Sequence, residues 1–495
     1  MWILLLGFAV VLSVIQYLSY SRKNDIAATV PRVKPSYPLF GSANLFLGKS
    51  SVKKFWNMRN LCNNKEPLFR FWMGSEMILG TSHPDIAQQI LTDPVWLDKP
   101  FLYDFFDVNY GLFGAKHKLW KSQRKALNPS FNMKILQGFI PIFSDGSKKL
   151  VNRLAGFPEG ATVNMMDNVG RFALEMVLET TLGLNISAVD EADALVQKIE
   201  RYFLLSSKRL LNVFHYADKI YHWTSAYRAK HHLRQYLDQI VGKIVNEVAV
   251  RYEGTYQQST EPENEIKRPQ IFVDEIYTNK WKQFTDVEIL DNVYTILGAG
   301  TDTSALTICY ACLMLAFYPE WQQKLYDETM QNFPEDEPDF TLNSIKQLEY
   351  LEMFLKETLR LYPVAAMVAR QSTEGTLVGG HKIPAGSILA VHVYNLQRDP
   401  DFWGPNATDF DPERFSAKRS QDRHPFAFVA FSGGSRNCLG SRYAMISMKI
   451  IMVYLLKNFR FRTKLQKADM RFQFDALLRL DKGFLMQLEK RKIDA

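Results

Sequence analysis

Hydrophobic and polar positions along most of the chain follow the period of an α-helix. Apolar residues recur every three or four positions in most of the long apolar stretches, and short strand-like pieces such as residues 387–394 lie between them. The first pattern is typical of helices with one buried face, and the second is typical of half-buried strands. The sequence therefore predicts a mainly α fold with a minor β part.

The N-terminal segment departs from this pattern because it is apolar on every side. Residues 2–20 carry no charge and nearly reach the roughly 20 apolar residues that a membrane-spanning helix needs. Arg22 and Lys23 follow the apolar run, and no small-residue cleavage site closes it, so a membrane anchor is favoured over a cleaved signal peptide. The positive-inside rule then keeps both basic residues and the chain after them in the cytosol.

Three prolines in residues 31–38 divide the anchor from the rest of the chain, because proline lacks the amide hydrogen that a helix needs. We expect residues 1–22 to form the anchor, 23–40 a stiff proline-containing strap, and 41–495 one folded domain. The polar residues 253–269 are expected to form an exposed loop within that domain.

Composition narrows the compartment and the partners. Four scattered cysteines in 495 residues are too few for a disulfide framework, which indicates a reducing compartment. Cys309 and Cys312 lie in an apolar run with no second pair, so we expect buried core thiols there. The formal net charge of +8 is a mild bias toward an acidic partner or an anionic surface, and it is too weak to indicate nucleic acid.

The longest predicted helix, residues 286–318, carries candidate chemistry at its middle. Gly298 and Gly300 interrupt it at a cost of up to about 1 kcal/mol each relative to alanine. Small residues there would admit a flat, bulky group, and Asp302 and Thr303 would place an acid and an alcohol beside it as a candidate proton relay. Taken alone, the segment also fits a kinked helix whose polar residues face water.

Another predicted helix ends before Pro363 and carries Glu357 and Arg360, three residues apart, on one face. Arg414 is a further cation that could join Glu357 in a buried network. Exposed pairs of this kind are common and stabilise a protein by less than about 1 kcal/mol, so the pair alone also fits ordinary surface charge.

The stretch 431–440, Phe-Ser-Gly-Gly-Ser-Arg-Asn-Cys-Leu-Gly, places one cysteine in a glycine-rich loop before a predicted helix at residues 443–459. The dipole and free amide hydrogens of a helix N-terminus favour a deprotonated sulfur, and a thiolate is a metal ligand. Arg436 could neutralise an acidic group on the cofactor of that metal, while the glycines let the backbone approach it.

The pattern formed by Phe431, Gly434, Arg436, Cys438 and Gly440 resembles the haem-binding loop of the cytochrome P-450 monooxygenases. The pattern spans ten residues and is highly specific. The resemblance implies the fold of that family, with the haem between a long central helix and the cysteine-bearing loop.

Three further motifs of the family occur in its order and spacing. Residues 299–304 resemble the oxygen-activating helix, Glu357 and Arg360 resemble its buried helix pair, and residues 412–415 resemble the segment that completes the pair's triad. The surrounding sequence is similar to the microsomal clan that includes the fatty-acid ω-hydroxylases, particularly its insect branches.

The resemblance implies a role for each matched residue. The axial ligand of the haem iron would be Cys438, the catalytic pair would be Thr303 and Asp302, and the structural triad would be Glu357, Arg360 and Arg414. The other residues expected at the haem, with propionate contacts from Trp120 and the arginines, are Arg436, Phe431, Gly434, Trp120, Arg124, Arg370, Ala299 and Gly300.

The implied reaction inserts one atom of dioxygen into a lipophilic substrate. Electrons would come from NADPH through a membrane-bound cytochrome P-450 reductase, with cytochrome b5 as a further donor, because the chain has no glycine-rich dinucleotide fingerprint. The domain would face the cytosol at the endoplasmic reticulum membrane. Two alternatives stay open: a haem-thiolate isomerase or dehydratase that is independent of oxygen, and a haem-binding sensor without turnover. The acid and the alcohol at 302 and 303 favour the monooxygenase.

The substrate pocket is expected from residues 102–113, 294–299 and 364–368, whose apolar character specifies a lipophilic guest but not its identity. A fatty acid, a hormone precursor and a foreign compound all fit. Ala299 stands where many ω-hydroxylases of the clan have a glutamate that forms an ester with a haem methyl group. The resemblance therefore implies haem b without a covalent link to the porphyrin.

A basic docking face for the reductase is expected over the cysteine side of the haem. Lys118, Lys121 and Lys125 recur at helical spacing, and Arg442 and Lys449 could extend the stripe that they form. A solvated helix face is the alternative reading of the same spacing.

Overall fold

A computed structural model provides the structure of the protein. It describes residues 27–34, 37, 40–63, 65–184, 192–258, 271–273 and 284–491. The predicted anchor, residues 1–22, lies outside the described residues. So does most of the predicted polar loop, whose first residues up to 258 continue a helix.

Helices make up most of the described structure, as predicted. The α-helices are α1 Ser51–Leu61, α2 Pro84–Thr92, α3 His117–Leu127, α4 Met133–Gly138, α5 Ile140–Ala155, α6 Met165–Val177, α7 Ala192–Leu210, α8 Asp218–Tyr221, α9 Ser225–Gln258, α10 Asp286–Phe317, α11 Pro319–Asn332, α12 Leu342–Lys346, α13 Glu349–Leu361, α14 Val393–Leu396, α15 Pro400–Trp403, α16 Ala417–Ser420 and α17 Ser441–Asn458.

The strands are short and form the minor β part. They are β1 Phe69–Met73, β2 Glu76–Thr81, β3 Thr162–Asn164, β4 Val368–Gln371, β5 Thr376–Val378, β6 His381–Ile383, β7 Ile388–Val391, β8 Phe459–Arg462, β9 Phe472–Phe474, β10 Leu478–Leu480 and β11 Leu485–Lys490. The largest sheet has the order β1-β2-β7-β4, the next β3-β11-β8, and β5-β6 and β9-β10 are hairpins.

The long central helix has the bounds that the sequence predicted, to within one residue. Thr285 accepts the backbone N–H of Glu288, and the Glu288 carboxylate accepts the N–H of Thr285, so the predicted capping box is formed. Among the described residues, α10 is the one helix long and apolar enough to cross a membrane. It is a core helix, because 78% of its apolar window is buried inside the protein.

The two glycines of α10 admit protein side chains. A Cβ added at Gly298 would lie 2.6 Å from the ring of Phe203 on α7, and one added at Gly300 would lie 2.6 Å from the side chain of Val177 on α6. Gly298 and its neighbour Ala299 also line the central cavity, so the expectation that small residues of this segment admit a flat, bulky group stays a prediction. Neighbouring helices fill the space that each missing side chain leaves.

The folded domain begins earlier than residue 41. The N–H of Val33 donates to the carbonyl of Arg70 at 2.9 Å, and the N–H of Arg70 donates to the carbonyl of Pro31 at 2.8 Å. Ala27 and Val30 are buried in the core that lies under β1 and β2. Part of the predicted strap thus pairs with β1, because the proline carbonyl remains a good acceptor although proline has no donor.

Two of the sheets contribute to the wall of a central cavity, which Val368 and Ala369 of β4 line and Arg370 does not. Strand β4 pairs with β7 so that Arg370 lies opposite Leu389. The β9-β10 hairpin turns between Phe474 and Leu478, and its tip lines the same cavity. Cys309 and Cys312 are fully buried in the core, as predicted.

Candidate active site

An apolar cavity of about 340 Å³ lies beside the middle of α10. All three predicted stretches contribute to its wall, including Phe106 from the first, Ala299 from the second and Val368 from the third. The sequence did not predict the contributions of α7 and of the β9-β10 hairpin, such as Phe203 and Leu477. Neither element carries a local motif that marks it as pocket-lining.

Thr303 lies on the face of α10 that lines the cavity. Its Oγ1 donates to the carbonyl of Ala299, one turn earlier, at 2.6 Å, and both residues border the cavity. Ala299 presents a methyl group there, with no carboxylate. Gly300 does not line the cavity, because its Cα faces Val177.

Asp302 is fully buried and faces away from the cavity. Its Oδ2 accepts from Nη2 of Arg479 at 2.7 Å, so the predicted acid is held by a cation from β10. Burial raises the pKa of Asp302 to about 7, and Arg479 opposes that rise. The sequence predicts the acid but not its partner, since 177 residues separate Asp302 from Arg479.

The cysteine-bearing loop is fixed by its own backbone. The N–H of Cys438 donates to the carbonyl of Phe431 at 2.9 Å, closing the loop on itself. Gly434 has a φ of +66°, and a Cβ there would lie 1.7 Å from the carbonyl oxygen of Leu91. Only glycine fits both conditions. Helix α17 begins at Ser441, directly after the loop.

The Cys438 side chain is solvent-accessible, but many protein atoms lie close around it. The burial by these atoms raises the pKa of the Cys438 thiol, while a backbone N–H from Gly440 and the charge of Arg124 lower it. The predicted help from the helix N-terminus is present, but burial outweighs it. A positive centre beside Cys438, such as a metal ion, would lower that pKa and favour the thiolate.

Three cations cluster at another wall of the site. Arg370 and Arg436 are buried, and they lower the pKa of Lys99 after the larger effect of its burial. The pKa of Arg436 falls to about 9, through burial first and Arg370 second. Within the described part of the chain, none of the three has a carboxylate at ion-pair distance, and Asp98 acts on Arg436 only from further away.

The guanidinium of Arg436 retains unused hydrogen-bond donors. Nη2 donates to the carbonyl of Ala115, and the Cζ atom lies over the ring of Trp120, 4.6 Å from its centre. Its Nε and Nη1 are buried and have no partner among the described residues. Arg370 donates to Ser432 in the cysteine loop at 3.3 Å. This cluster suits a ligand with two or more carboxylates.

Arg124 extends from α3 to the cysteine loop and does not contact the three clustered cations. It donates to the carbonyl and to the side-chain oxygen of Asn437, both at 2.8 Å. Its Nε donates to Asn128 at 2.7 Å. The structure thus brings Trp120 to Arg436, whereas Arg124 braces the residue that precedes Cys438, and the propionate contacts of all three residues stay predictions.

Glu357 and Arg360 form a fully buried pair, which excludes ordinary surface charge. Arg414 approaches Glu357 at 3.7 Å. The carbonyl of Arg360 accepts from Gln397, whose oxygen accepts the N–H of Val429 at 2.9 Å. The network therefore connects α13 to the chain that leads into the cysteine loop.

The predicted basic docking face is only partly present. Lys118, Lys121, Lys125 and Arg442 are exposed, as that face requires. Lys449 is buried, pairs with Glu352 at 2.8 Å and donates to the carbonyl of Ile345. Its inclusion was wrong, because helical spacing identifies one face of α17 but not the neighbour that covers it.

Comparison with known proteins identifies the class that this fold and site define. The family model described as cytochrome P450 matches residues 31–488, so the chain belongs to the cytochrome P450 family. It is 28% identical to cytochrome P450 4c21 of Blattella germanica over 95% of this chain and 96% of that protein. It is also 28% identical to cytochrome P450 4V2 of Rattus norvegicus, over 99% and 95%.

An insect relative of a different name matches equally broadly. The chain is 27% identical to probable cytochrome P450 313a4 of Drosophila melanogaster over 96% of this chain and 97% of that protein. The family and these relatives confirm a haem-dependent monooxygenase. Its cofactor is haem b, bound without a covalent link to the porphyrin.

The residues present fit that cofactor. Haem carries two propionates, and the unpaired cations Lys99, Arg370 and Arg436 are suited to receive them. Cys438 offers a sulfur ligand, and because burial raises the pKa of its thiol, a positive iron centre would favour its thiolate form. The porphyrin is flat and apolar, like the surface that Ala299 and its neighbours present to the cavity.

Proposed function

We propose that the protein oxidises a lipophilic small molecule with dioxygen, using electrons that a reductase takes from NADPH. The observation that carries this proposal is the cavity beside Thr303, whose wall is mostly apolar. Apolar walls favour a guest with little polar surface. When bound, haem with thiolate ligation activates dioxygen so that one oxygen atom enters a C–H bond and the other leaves as water.

Each site residue has a proposed task. Cys438 supplies the thiolate, and Phe431 and Gly434 hold its loop in shape through the contacts described above. Arg370 and Arg436, with Trp120 behind Arg436, bind the propionates. Thr303 holds a proton at its Oγ1 on the cavity side of α10, and Asp302 is the acid that replaces it.

Glu357, Arg360 and Arg414 have a structural task in this proposal. Their network fixes α13 against residues 407–429, so it positions the cysteine loop without touching the reacting atoms. In this proposal, electrons enter from the cysteine side of the haem. Lys118, Lys121, Lys125 and Arg442 offer an exposed basic surface that suits an acidic electron donor, either the reductase or cytochrome b5.

We also propose that the domain rests on the cytosolic face of the endoplasmic reticulum membrane. Large apolar side chains are exposed between Phe214 and Trp223, and Trp223 is 88% exposed. The ring of Phe214 lies 6.0 Å from that of Phe40, which belongs to the segment after the predicted anchor. Tyr216, which lies between Phe214 and Trp223 in the sequence, lines the cavity. A lipophilic substrate would therefore enter from the bilayer along this segment.

The substrate test starts with binding. Purified holoprotein is titrated with fatty acids, terpenoids and insecticides, and substrate binding is followed by the shift of the haem Soret band. Compounds that bind are incubated with NADPH, a microsomal reductase and ¹⁸O₂. The proposal predicts one ¹⁸O atom in the product. Turnover that proceeds without dioxygen and reductase would instead support an isomerase or a dehydratase.

The membrane proposal has its own test. Brominated lipids should quench the fluorescence of Trp223 in the full chain, and the quenching difference between wild type and Trp223→Phe isolates that residue. The pair Phe214→Ser and Ile220→Ser should weaken the quenching. A Trp223 signal that brominated lipids leave unchanged would contradict contact between this patch and the bilayer.

A further inference from the structure

His392 lies between β7 and α14 and lines the same cavity as Thr303. The residue is buried, with 2% of its surface exposed. Backbone pairing fixes its place, because its N–H donates to the carbonyl of Thr81 at 2.8 Å and the N–H of Tyr394 donates to that of Ala366, a cavity residue, at 3.1 Å. The largest sheet therefore holds His392 at the cavity wall.

The hydrogen bond of one ring nitrogen determines where His392 carries its proton. Nδ1 accepts the backbone N–H of Asn395 at 3.2 Å and so caps the short helix α14. The ring is neutral, because burial lowers its pKa to about 3, helped by the charges of Arg398 and Arg59. In a neutral imidazole whose Nδ1 accepts, the hydrogen lies on Nε2. Nε2 of His392 is therefore a donor.

This donor has no acceptor among the described residues, whereas most other donors of the cavity wall have one. The hydroxyls that line the cavity and donate to protein oxygens belong to Tyr202, Tyr216, Tyr294, Thr295 and Thr303. Arg234 and Gln473 donate to carboxylates. Lys99 lies 4.2 Å from the ring centre of Tyr103, and both belong to the wall with the cation cluster. Buried donors are normally paired, so a guest in the cavity is a suitable source of the acceptor for His392.

The cavity wall next to His392 is apolar. Ala366 and Ala390 line it on the two paired strand segments beside His392, and Phe55 lines it from α1. The ring of Phe55 lies 5.1 Å from that of Tyr394, two residues after His392. A guest at this place therefore meets hydrocarbon on most sides and one N–H donor.

A carbonyl oxygen suits this environment better than a carboxylate or a hydroxyl. Arg398 and Arg59 make the local potential positive, which attracts the oxygen end of a carbonyl dipole. Arg398 already donates to the carbonyls of Tyr394 and Leu361, so it offers a field and not a direct partner. A carboxylate would be buried with a single donor, and a hydroxyl would bring a further donor that needs an acceptor.

We propose that His392 is a specificity-determining residue whose Nε2–H binds the carbonyl oxygen of a ketone or ester substrate, while the hydrocarbon part of that substrate fills the apolar cavity. The contact fixes one end of the substrate, so the length of the chain decides which carbon lies beside Thr303. The inference rests on the proposed oxidation of a lipophilic small molecule, and it gives that molecule a chemical class.

The test compares matched ligands in the purified holoprotein without NADPH. A straight-chain methyl ketone and the alkane of the same length are titrated, and affinity is measured from the Soret shift or by competition with a ligand that causes one. His392→Asn keeps an oxygen that can cap α14 but lacks the atom that reaches the guest. The ketone should bind this variant roughly five- to tenfold more weakly than wild type, and the alkane should change by less than about twofold.

Infrared spectra measure the hydrogen bond itself. The C=O band of a ¹³C-labelled ketone should lie at lower frequency in wild type than in His392→Asn, because the hydrogen bond weakens the C=O bond. His232→Asn is the matched control, since His232 is exposed on α9 and does not line the cavity. If His392→Asn does not fold, the wild-type band is compared with that of the ketone in an alkane solvent, and it should again lie lower.

Three results would overturn the inference. The first is an equal loss of ketone and alkane affinity in His392→Asn, because His392 would then act through shape. The second is a bound ketone whose C=O band has the frequency found in the alkane solvent. The third is a fatty acid whose affinity depends on His392 while that of the ketone does not. A holoprotein that binds the ketone through His392 but oxidises no substrate would overturn the proposed function instead and would support this contact.

Discussion

Arg360 donates two parallel hydrogen bonds to Glu357, from Nε to Oε2 at 2.6 Å and from Nη2 to Oε1 at 2.7 Å, with both side chains fully buried. The remaining donors of Arg360 bind the carbonyls of Gln397, Ala407 and Asp409. Burial raises the pKa of Glu357, and Arg360 is the largest opposing influence. Removal of either partner would leave the other as a buried charge without its counter-charge.

Loss of Glu357 should therefore destabilise the fold strongly. Glu357→Gln leaves a buried guanidinium without its counter-charge, and we expect the free energy of unfolding to fall by about 3–5 kcal/mol. Lys356→Ala removes a partner from the neighbouring, partly exposed pair with Glu352 and should cost less than about 1 kcal/mol. Denaturant unfolding followed by tryptophan fluorescence compares them. Equal losses in both variants would contradict the buried role.

The cysteine loop should be intolerant of a side chain at Gly434. Gly434→Ala adds a Cβ at a φ of +66° and only 1.7 Å from the carbonyl oxygen of Leu91, so the loop must shift. We expect loss of most of the bound haem, measured as haem per polypeptide. Gly242→Ala on α9 is the control, because its Cβ meets no atom within 4 Å and it lies outside the haem-binding loop. Full haem content in Gly434→Ala would show that the loop adapts.

The sequence predicted those parts of the site whose residues lie close together along the chain. The capping box of α10, the Glu357 and Arg360 pair and the cysteine loop are local patterns, and each has the predicted geometry. Arg479 and Lys99 were missed, because neither stands in a motif and the residues that give them a role, such as Asp302 for Arg479 and Arg370 for Lys99, lie far away in the chain. Such contacts follow from packing, which local spacing does not encode.

The exposed lysines of α3 should affect the rate at which the reductase reduces the protein. Charge reversal of Lys121 and Lys125 to glutamate should slow reduction by the reductase and weaken its dependence on salt, because both side chains are exposed on α3. Reversal of Lys382 and Lys490, which are exposed on strands β6 and β11, is the control. Stopped-flow reduction measures the rates. Unchanged rates in the α3 variant would leave these lysines as a solvated helix face.

Asp302 should make stability depend on pH in a defined direction. Its pKa is raised to about 7 in the folded protein, above its ordinary value of 3.8. Between these values the folded state binds a proton that the unfolded state does not, so stability falls as pH rises through that window. Asp302→Asn should remove this contribution, and thermal unfolding of both proteins across the window measures it. Parallel pH curves would contradict a raised pKa.

The most direct test of the central claim is the spectrum of the reduced carbon-monoxide complex of Cys438→Ala. The wild type should show the red-shifted Soret band of thiolate ligation, and the variant should lack it, since no other described cysteine is exposed. Cys62→Ala, which alters a buried thiol beside Met58, should keep the band. A red-shifted band that persists unchanged in Cys438→Ala would contradict the assignment of this residue as the iron ligand.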